Sequence, residues 1–600
     1  MRNDHQAHNQ RRSYDRASQG DRVAQGGARQ GRGGKPGAGK GGFKPRDGKG
    51  GFKPRDGKPG GFKSRDGKPG AGKDGFKPRR DDRPQGDRPP RRDDRPQDSR
   101  PPRRDDRPQD SRPPRRDDAP RGPRPQNSRD DRARAHYEKR HPSAHRATSA
   151  RELALAAIHQ LRERDAFAQD IITKSIDTSR LSREDRAFAT RLVLGVVSMR
   201  GTLDEILDSC MDSPDDVSPA VRDALDLSVY EIIYLDKSPH AAVDQGVELV
   251  RSVAPRASGL ANAVLRRVVR AKEAFPFGDP RTDLNAYARL HGFPIWLTER
   301  LLKELGPEAA HGFMKASNEP APVFIAVNAA KASDDEVTSV LAAAHGDPQP
   351  VVVGGRTVPG CYRLASGIVL HDGRVRRMFN QGLLLVSDAT SQAVANLVVG
   401  EKRPSSFLEI GAGRATKTIL DQSCACRRFG SQIPDYVTVD NRAFKTKLLT
   451  ERAEQYGVDV AEALTGDGAD LDAVVGERTF DVVFIDAPCT GLGTLRRHPE
   501  IRWRLKRGTI AEMAELDGRL LASAAAHVAP GGTLAYATCT ITHEENADTV
   551  QKFLASDAGA AFELVPYDNP ELGVEMPFFS TVLEPNGPDA HFLALLRRKN

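Results

Sequence analysis

Two of the six cysteines stand where strand-like runs end. Cys489 follows Pro488 in FIDAPCTGLGTLRRHPEIRW, just past an apolar run that closes on Asp486. Cys539 ends the run in GGTLAYATCTITHEEN. A thiolate is a strong nucleophile, and two thiols at adjacent strand ends suit a reaction that needs both an attack and a release. Methylation of cytosine is such a reaction. Carbon 5 of the ring is too weak a nucleophile to attack a sulfonium methyl group unaided. A thiolate adding to carbon 6 makes carbon 5 enamine-like, and a base must then remove the carbon 5 proton before the thiolate can leave. An acid such as Asp486 can hydrogen-bond ring nitrogen 3 and steady the developing charge. The alternative is a pair of buried structural thiols, since free cysteine is commonly buried. The Gly-, Pro- and Thr-rich surroundings of both argue against it.

A second group of residues has the spacing of a nucleoside site. SFLEIGAGRATKTIL reads as a strand, a loop and a helix. Glu409 closes the strand, Gly411, Ala412 and Gly413 form the turn, and Lys417 opens the helix. Glycines there let the backbone turn tightly beside a ligand. The next strand-like segment, YVTVDN, ends at Asp440, where an acid can accept from ribose hydroxyls. ALTGDGADL ends at Asp467, where an acid can meet an adenine amino group, and FDVVFIDAP ends at Asp486. Acids at four successive strand ends converge on the carboxyl edge, where doubly wound sheets bind ligands. GAGRATKT also approaches the phosphate loop GxxxxGK[ST], but Thr416 replaces the glycine before Lys417. The acids that follow suit ribose and adenine better than magnesium phosphates.

The elements that must position these groups alternate strand and helix from Ser405 onward. That pattern predicts an α/β domain with a parallel, doubly wound, Rossmann-like sheet over residues 396–600. Residues 285–395 read as a mixed connector: ASNEPAPVFIAVN predicts a strand after a proline-rich turn, and FNQGLLLVSDATSQAVANLVVG a strand running into a helix. Residues 148–272 are patterned as helices throughout. Ser182 with Asp185 marks the start of one long helix, and Arg266, Arg267 and Arg270 crowd another.

Residues 1–145 are of another kind. GGFKPRDGK-type repeats with Phe43, Phe52, Phe62 and Phe76 give way to a twelve-residue unit, RRDDRPQGDRPP, that recurs twice as RRDDRPQDSRPP. Such a chain buries too little apolar surface to offset its ordering entropy, and the reading is a disordered tail. Residues 1–140 hold 41 Lys and Arg against 21 Asp and Glu, a net of +20. The remaining residues hold 51 against 61, a net of −10. The tail is therefore the part drawn to a polyanion such as RNA. Its Phe residues can stack on bases, while the alternating RRDD blocks work against strong binding.

The order of the helical segments, with SPHAAVDQGVELV followed by LANAVLRRVVR, resembles the NusB-like RNA-binding domain. DAPCTGLGTLRRHPEIRW and YATCTITHEEN resemble the signature segments of the Sun/Fmu-type (RsmB-like) branch of the NOL/NOP/Sun RNA cytosine-5 methyltransferases. That branch also carries a NusB-like domain, so the resemblance covers about residues 148–600. It implies S-adenosyl-L-methionine as cofactor and ribosomal RNA as substrate. It further implies that Cys539 is the nucleophile, that Cys489 assists release of the product, and that Asp440, Asp467 and Asp486 contact cofactor or base. The family's loop is similar to Asp-x-Cys-Ala-Ala-Pro-Gly-Gly-Lys-Thr, whereas this chain has Glu409-Ile-Gly-Ala-Gly-Arg-Ala-Thr-Lys417-Thr. Thr490 stands where Ser is usual. The altered loop motivates an alternative, an RNA-binding protein with a degenerate methyltransferase domain. The same chemistry on transfer RNA is another, because substrate choice lies in surface shape and in loops that splay out a base.

Six cysteines are too few for a disulfide scaffold, and no Cys/His set has zinc spacing, so the reading includes no metal. Reduced thiols, a polar N-terminus and the lack of any apolar run near 20 residues predict a cytoplasmic protein without a membrane anchor, expected to act as a monomer.

Overall fold

In the computed structural model, residues 147–600 are described, apart from positions 165 and 236. The repeats read above as a tail lie outside the described residues. From Ser149 the helical patterns close on one core. Helices Ser149–Arg164, Arg183–Ser209, Pro219–Tyr234, Pro239–Val253 and Ser258–Ala271 bury Ile158, Leu192, Leu203, Leu225, Leu249 and Leu265 together. The Ser182 hydroxyl accepts from the backbone N–H of Asp185 at 3.0 Å, capping the longest of them as its sequence predicts. Pro219 and Pro239 open their helices, where a missing N–H costs nothing.

Helices Leu284–His291 and Ile295–Ala316 lead into four antiparallel strands. These are β1 (Val323–Val327), β2 (Gln349–Val353), β3 (Arg356–Leu364) and β4 (Leu384–Val386), in the order β2-β3-β1-β4. β1 is the strand read in ASNEPAPVFIAVN. β4, followed by the Asp388-capped helix Ala389–Val399, is the strand–helix pair read in FNQGLLLVSDATSQAVANLVVG. The long helix Ile295–Ala316 breaks its regular path at Gly306, φ 75°, just before Pro307.

The larger sheet begins with β5 (Ser406–Ile410), β6 (Asp435–Asp440), β7 (Glu462–Thr465), β8 (Phe480–Asp486) and β9 (Val528–Thr538), all parallel, in the order β9-β8-β5-β6-β7. Alternate residues serve opposite faces. Phe407, Tyr436, Phe484 and Ala535 share a core with Ile419 and Leu449 of the helices after β5 and β6. Leu408, Val437, Val483 and Leu534 share another with Leu520 and Val550 of the helices flanking β9. This is the doubly wound arrangement, with both faces covered.

The sheet departs from the all-parallel expectation beyond β9. There β10 (Phe562–Val565), the β11–β12 ribbon (Tyr567–Asn569, Val574–Met576) and β13 (Phe579–Ser580) precede β14 (Phe592–Arg598), which lies antiparallel between β9 and β10. A strand returning through hairpin-like segments needs no helical crossover and so enters antiparallel. Strand order reverses between β5 and β8, and the crevice at that switch point is where an open α/β sheet receives ligands. Among the described residues, no helix is long and apolar enough to cross a membrane.

Candidate active site

The turn after β5 is shaped by what a side chain would strike. Gly411 has φ 84°, and a Cβ there would lie 2.4 Å from the carbonyl oxygen of Asp486 at the end of β8. Only glycine allows the two strand ends to approach so closely. Gly411 and Ala412 donate their N–H groups to the Val439 carbonyl, at 2.8 and 3.4 Å, which folds the turn over β6. Gly413 (φ 58°) and Ala415 (φ 61°) continue it, and helix Thr416–Phe429 then starts. A left-handed alanine is uncommon. This one is fully buried at the head of the helix that carries Lys417.

The acids occupy different depths. Asp440, buried at the end of β6, accepts from Gly413 N at 3.1 Å and Arg442 N at 2.9 Å and pairs with Lys445 at 3.3 Å. Its carboxylate thereby holds the glycine turn against the second strand. Glu409 lies beneath the turn, fully buried, accepting from the Thr418 hydroxyl at 2.6 Å and the Tyr436 hydroxyl at 3.1 Å. Tyr436 also donates to Asp421 at 2.7 Å. Burial pushes Glu409 up to about 7, against the pull of its Thr418 bond. Its place is under the floor of the crevice. Asp467 is exposed, two residues beyond β7, and accepts from Ala469 N at 2.9 Å within its own turn.

Asp486 meets Lys417. The ammonium lies 3.0 Å from Oδ1 and is itself buried, whereas the carboxylate is about one-third exposed. Burial alone would push Lys417 down, but the attraction of Asp486, helped by Cys539, more than offsets it and keeps the ammonium charged. The Lys417–Asp486 pair therefore closes one wall of the crevice with both signs of charge.

The thiols follow the ends of β8 and β9, next to this pair. The sulfurs of Cys489 and Cys539 lie 3.3 Å apart, and both cysteines are free and partly exposed. Hydrogen bonding with Cys539, and then burial, push the Cys489 thiol well up, so Cys489 keeps its proton. The loop after Cys489 also reaches the helical region. Trp503 Nε1 donates to Ser198 O at 3.0 Å and Glu500 accepts from Ala168 N at 3.3 Å; from the glycine turn after β5, Arg414 pairs with Asp170 at 3.1 Å.

Several residues that complete the site carry no local signal. Asp421 and Tyr436 support Glu409 from 12 and 27 positions along the chain. Glu545 lies within YATCTITHEEN, where its residue type gives no hint of a role, and it is fully buried among threonines. His591, also buried, has no partner for Nδ1 among the described residues, and burial holds it down at about 4, so it is neutral. Beyond the last β9–β14 pair, Phe592 with Thr538, Gly493 comes between the strands, donating to Cys539 O at 2.9 Å and accepting from Ala590 N at 3.1 Å, next to His591.

The same architecture is found among known proteins. The family described as 16S rRNA methyltransferase RsmB/F matches residues 428–597, the NusB family residues 148–270, and the RsmF/B-like ferredoxin-like domain residues 293–356. The ribosomal RNA small subunit methyltransferase B of Sodalis glossinidius is 31% identical over 387 residues, 64% of this chain and 84% of that protein. Its counterpart in Klebsiella pneumoniae is 30% identical over 409 residues, covering 68% and 89%. The crystal structure of PH0851 matches the fold with a TM-score of 0.62 at 23% identity, over 75% of this chain and 98% of that one. With a helical NusB region, a small antiparallel sheet and a doubly wound domain in this order, the chain belongs to the RsmB/F family of ribosomal RNA methyltransferases.

Proposed function

We propose that this protein methylates carbon 5 of a cytosine in small-subunit ribosomal RNA, and that it does so in the cytoplasm. The observation that carries the reading is the pair of free sulfurs 3.3 Å apart beside the Lys417–Asp486 ion pair. Cys539 adds to carbon 6 of the ring, forming a carbon–sulfur bond. As the ring's electrons shift on addition, nitrogen 3 takes up a proton; the Asp486 carboxylate accepts a hydrogen bond from that N–H and holds the ring, and Lys417 keeps positive charge beside the electron density that the addition creates. After carbon 5 is methylated its proton must leave. That proton passes to water, its electron pair re-forms the 5,6 double bond, and the carbon 6–sulfur bond breaks to return the Cys539 thiolate; Cys489, protonated beside that sulfur, assists the departure by donating to it.

The crevice fits a nucleoside-containing methyl donor. The turn at Gly411 leaves no room for a side chain, and Asp440 and Asp467 stand at the neighbouring strand ends. Gly411, Ala412, Gly413, Asp440 and Asp467 would hold S-adenosylmethionine, which supplies an electrophilic methyl group when bound. Glu409, beneath the turn, holds Thr418 and thereby the loop's shape. The loss of the family's Pro-Gly-Gly element is offset by Gly411 and Gly413, which supports an active domain over a degenerate one. The domains are read as a tail over 1–145, an RNA-binding helical domain over 148–272, a connector over 285–395 and the catalytic domain over 396–600, acting as a monomer.

Bisulfite sequencing of total RNA from cells with and without this protein tests the reading. One cytosine of the small-subunit RNA should lose its protection when the protein is absent. Loss of protection in transfer RNA alone would move the substrate there, and no change at any cytosine would overturn the chemistry.

A further inference from the structure

Both cysteine loops are tied to one buried carboxylate. Glu545 Oε1 accepts from the backbone N–H of Thr490 at 2.6 Å. Its Oε2 accepts from the hydroxyls of Thr490 at 2.7 Å, Thr540 at 3.2 Å and Thr542 at 2.6 Å. Thr490 directly follows Cys489, and Thr540 directly follows Cys539. The two threonine hydroxyls also stand 2.7 Å apart, so the single proton of Thr540 is shared between Thr490 Oγ1 and Oε2. Glu545 has no exposure, so these bonds are made out of contact with water. Its own backbone is held too: the Tyr536 hydroxyl donates to its carbonyl at 2.5 Å, and Asp517 lies on the other side of that hydroxyl at 2.9 Å.

We propose that Glu545 is the positioning residue that sets the distance between the two reactive sulfurs. It touches neither sulfur, and it fixes the residue after each. A carboxylate is well suited to this, because two oxygens with about four acceptor sites can receive one amide and three hydroxyls at once. Charged acceptors also make shorter and stronger bonds than neutral ones. The arrangement gives a reason for a hydroxyl at position 490: Thr490 supplies both a main-chain and a side-chain donor, and a residue without a hydroxyl would leave Oε2 one donor short in a dry site. The reacting thiols need a separation short enough for one to act on the bond the other has made, and loops of different strands do not hold such a separation unless something spans them.

The proposal rests on the reading of Cys489 and Cys539 as the reacting pair, so its test carries a readout that does not depend on methylation. Full-length wild-type protein, Glu545→Ala, Glu545→Gln and Thr542→Val are oxidised with copper–phenanthroline, and the Cys489–Cys539 disulfide is followed by peptide mapping. In parallel, turnover and S-adenosylmethionine affinity are measured on ribosomal RNA, with melting curves as the folding control. Glu545→Gln keeps an oxygen for Thr490 N, but its NH2 donates where Oε2 accepted, so the threonine hydroxyls must turn to accept from it, and it is expected to cross-link at a rate between those of the wild type and Glu545→Ala. Glu545→Ala should cross-link at least about tenfold more slowly and lose about 100-fold in turnover, the scale of an ångström-level misplacement, with cofactor affinity within about threefold. Thr542→Val, which removes one of the four bonds, should fall between and serves if the alanine variant does not fold. Cross-linking of Glu545→Ala and Thr542→Val at the wild-type rate would overturn the proposal. Slower cross-linking in a protein whose wild type leaves cytosine unmodified would support the spacing role and instead remove the reading of the chemistry.

Discussion

The backbone N–H of Cys539 donates to the sulfur of Cys489 at 3.3 Å. The bond runs from the end of β9 to the loop after β8, and it occupies Cys489 rather than Cys539. The side-chain hydrogen bond with Cys539, and then burial, push the Cys489 thiol well up and outweigh the downward pull of that amide, so Cys489 keeps its proton before any substrate arrives. Among the described residues no amide donates to the Cys539 sulfur, and Cys539 is near enough to Lys417 to help hold that ammonium charged.

Cys539→Ala is therefore expected to reduce methyl transfer by about 10³-fold or more, the loss typical of removing a covalent nucleophile. Cofactor binding, built on the β5 and β6 turns, should stay nearly intact by calorimetry. An alanine variant that keeps a substantial fraction of wild-type turnover would show that Cys539 is not the nucleophile.

Cys489→Ala should separate addition from release. With Cys539 present the ring is still attacked and methylated, but the step that frees the enzyme is slowed. A covalent protein–RNA adduct should then accumulate as a slow, denaturant-resistant band on a gel. If the band instead appears with Cys539→Ala and not with Cys489→Ala, the two roles are exchanged.

How far the sequence reaches is visible in these residues. Strand ends carry a local signature, an apolar run followed by Gly, Pro or Thr, so the segments ending at Asp440, Asp486 and Cys539 are legible without coordinates. So is the Ser182 cap, which involves residues three apart. The antiparallel entry of β14 is not, because period-two burial looks alike in parallel and antiparallel strands. Glu409 reads as a strand-end acid facing the ligand, yet it is the penultimate residue of β5 and its alternation points it under the turn. Glu545 is illegible for a different reason. Its local partners Thr540 and Thr542 lie five and three positions back, but Thr490, the partner that brings in the other loop, is 55 positions away, and no periodicity encodes a contact made only when β8 and β9 become neighbours.

The support beneath Glu545 should make stability depend on pH. Burial pushes Asp517 up to about 8, outweighing the Tyr536 bond that pulls it down. An acid whose folded pKa is raised stabilises fully below its unfolded pKa, near 4, and loses that contribution as pH rises toward 8. Glu409, raised by burial to about 7, acts in the same direction. His591, held down by burial at about 4, acts oppositely, its contribution being lost as pH falls below about 6.5. Calorimetric melting at mildly acidic and mildly alkaline pH should show Tm falling with pH in the wild type and falling less in Asp517→Asn. Parallel lines for the two proteins would place the dependence elsewhere.

Removing residues 1–140 should weaken RNA affinity and leave the methylated cytosine unchanged. Those residues hold a net of +20 while the rest of the chain holds −10, so most of the long-range attraction to phosphates belongs to them. Their composition of Arg, Lys, Gly and spaced Phe offers phosphate pairing and stacking that any sequence satisfies. Base identity has to be read where the cytosine is unstacked, beside Asp486, Cys489 and Cys539, and none of that is removed. For every phosphate that the truncated protein no longer neutralises, the slope of log affinity against log salt should become shallower by about 0.7–0.9. Full-length and truncated protein are compared across a salt series, and methylated positions are mapped for both. An unchanged slope would mean that the RRDD blocks neutralise themselves and the segment is a bystander. A shifted position would mean that it docks the substrate, so that attraction and selection are not divided between the two parts of the chain.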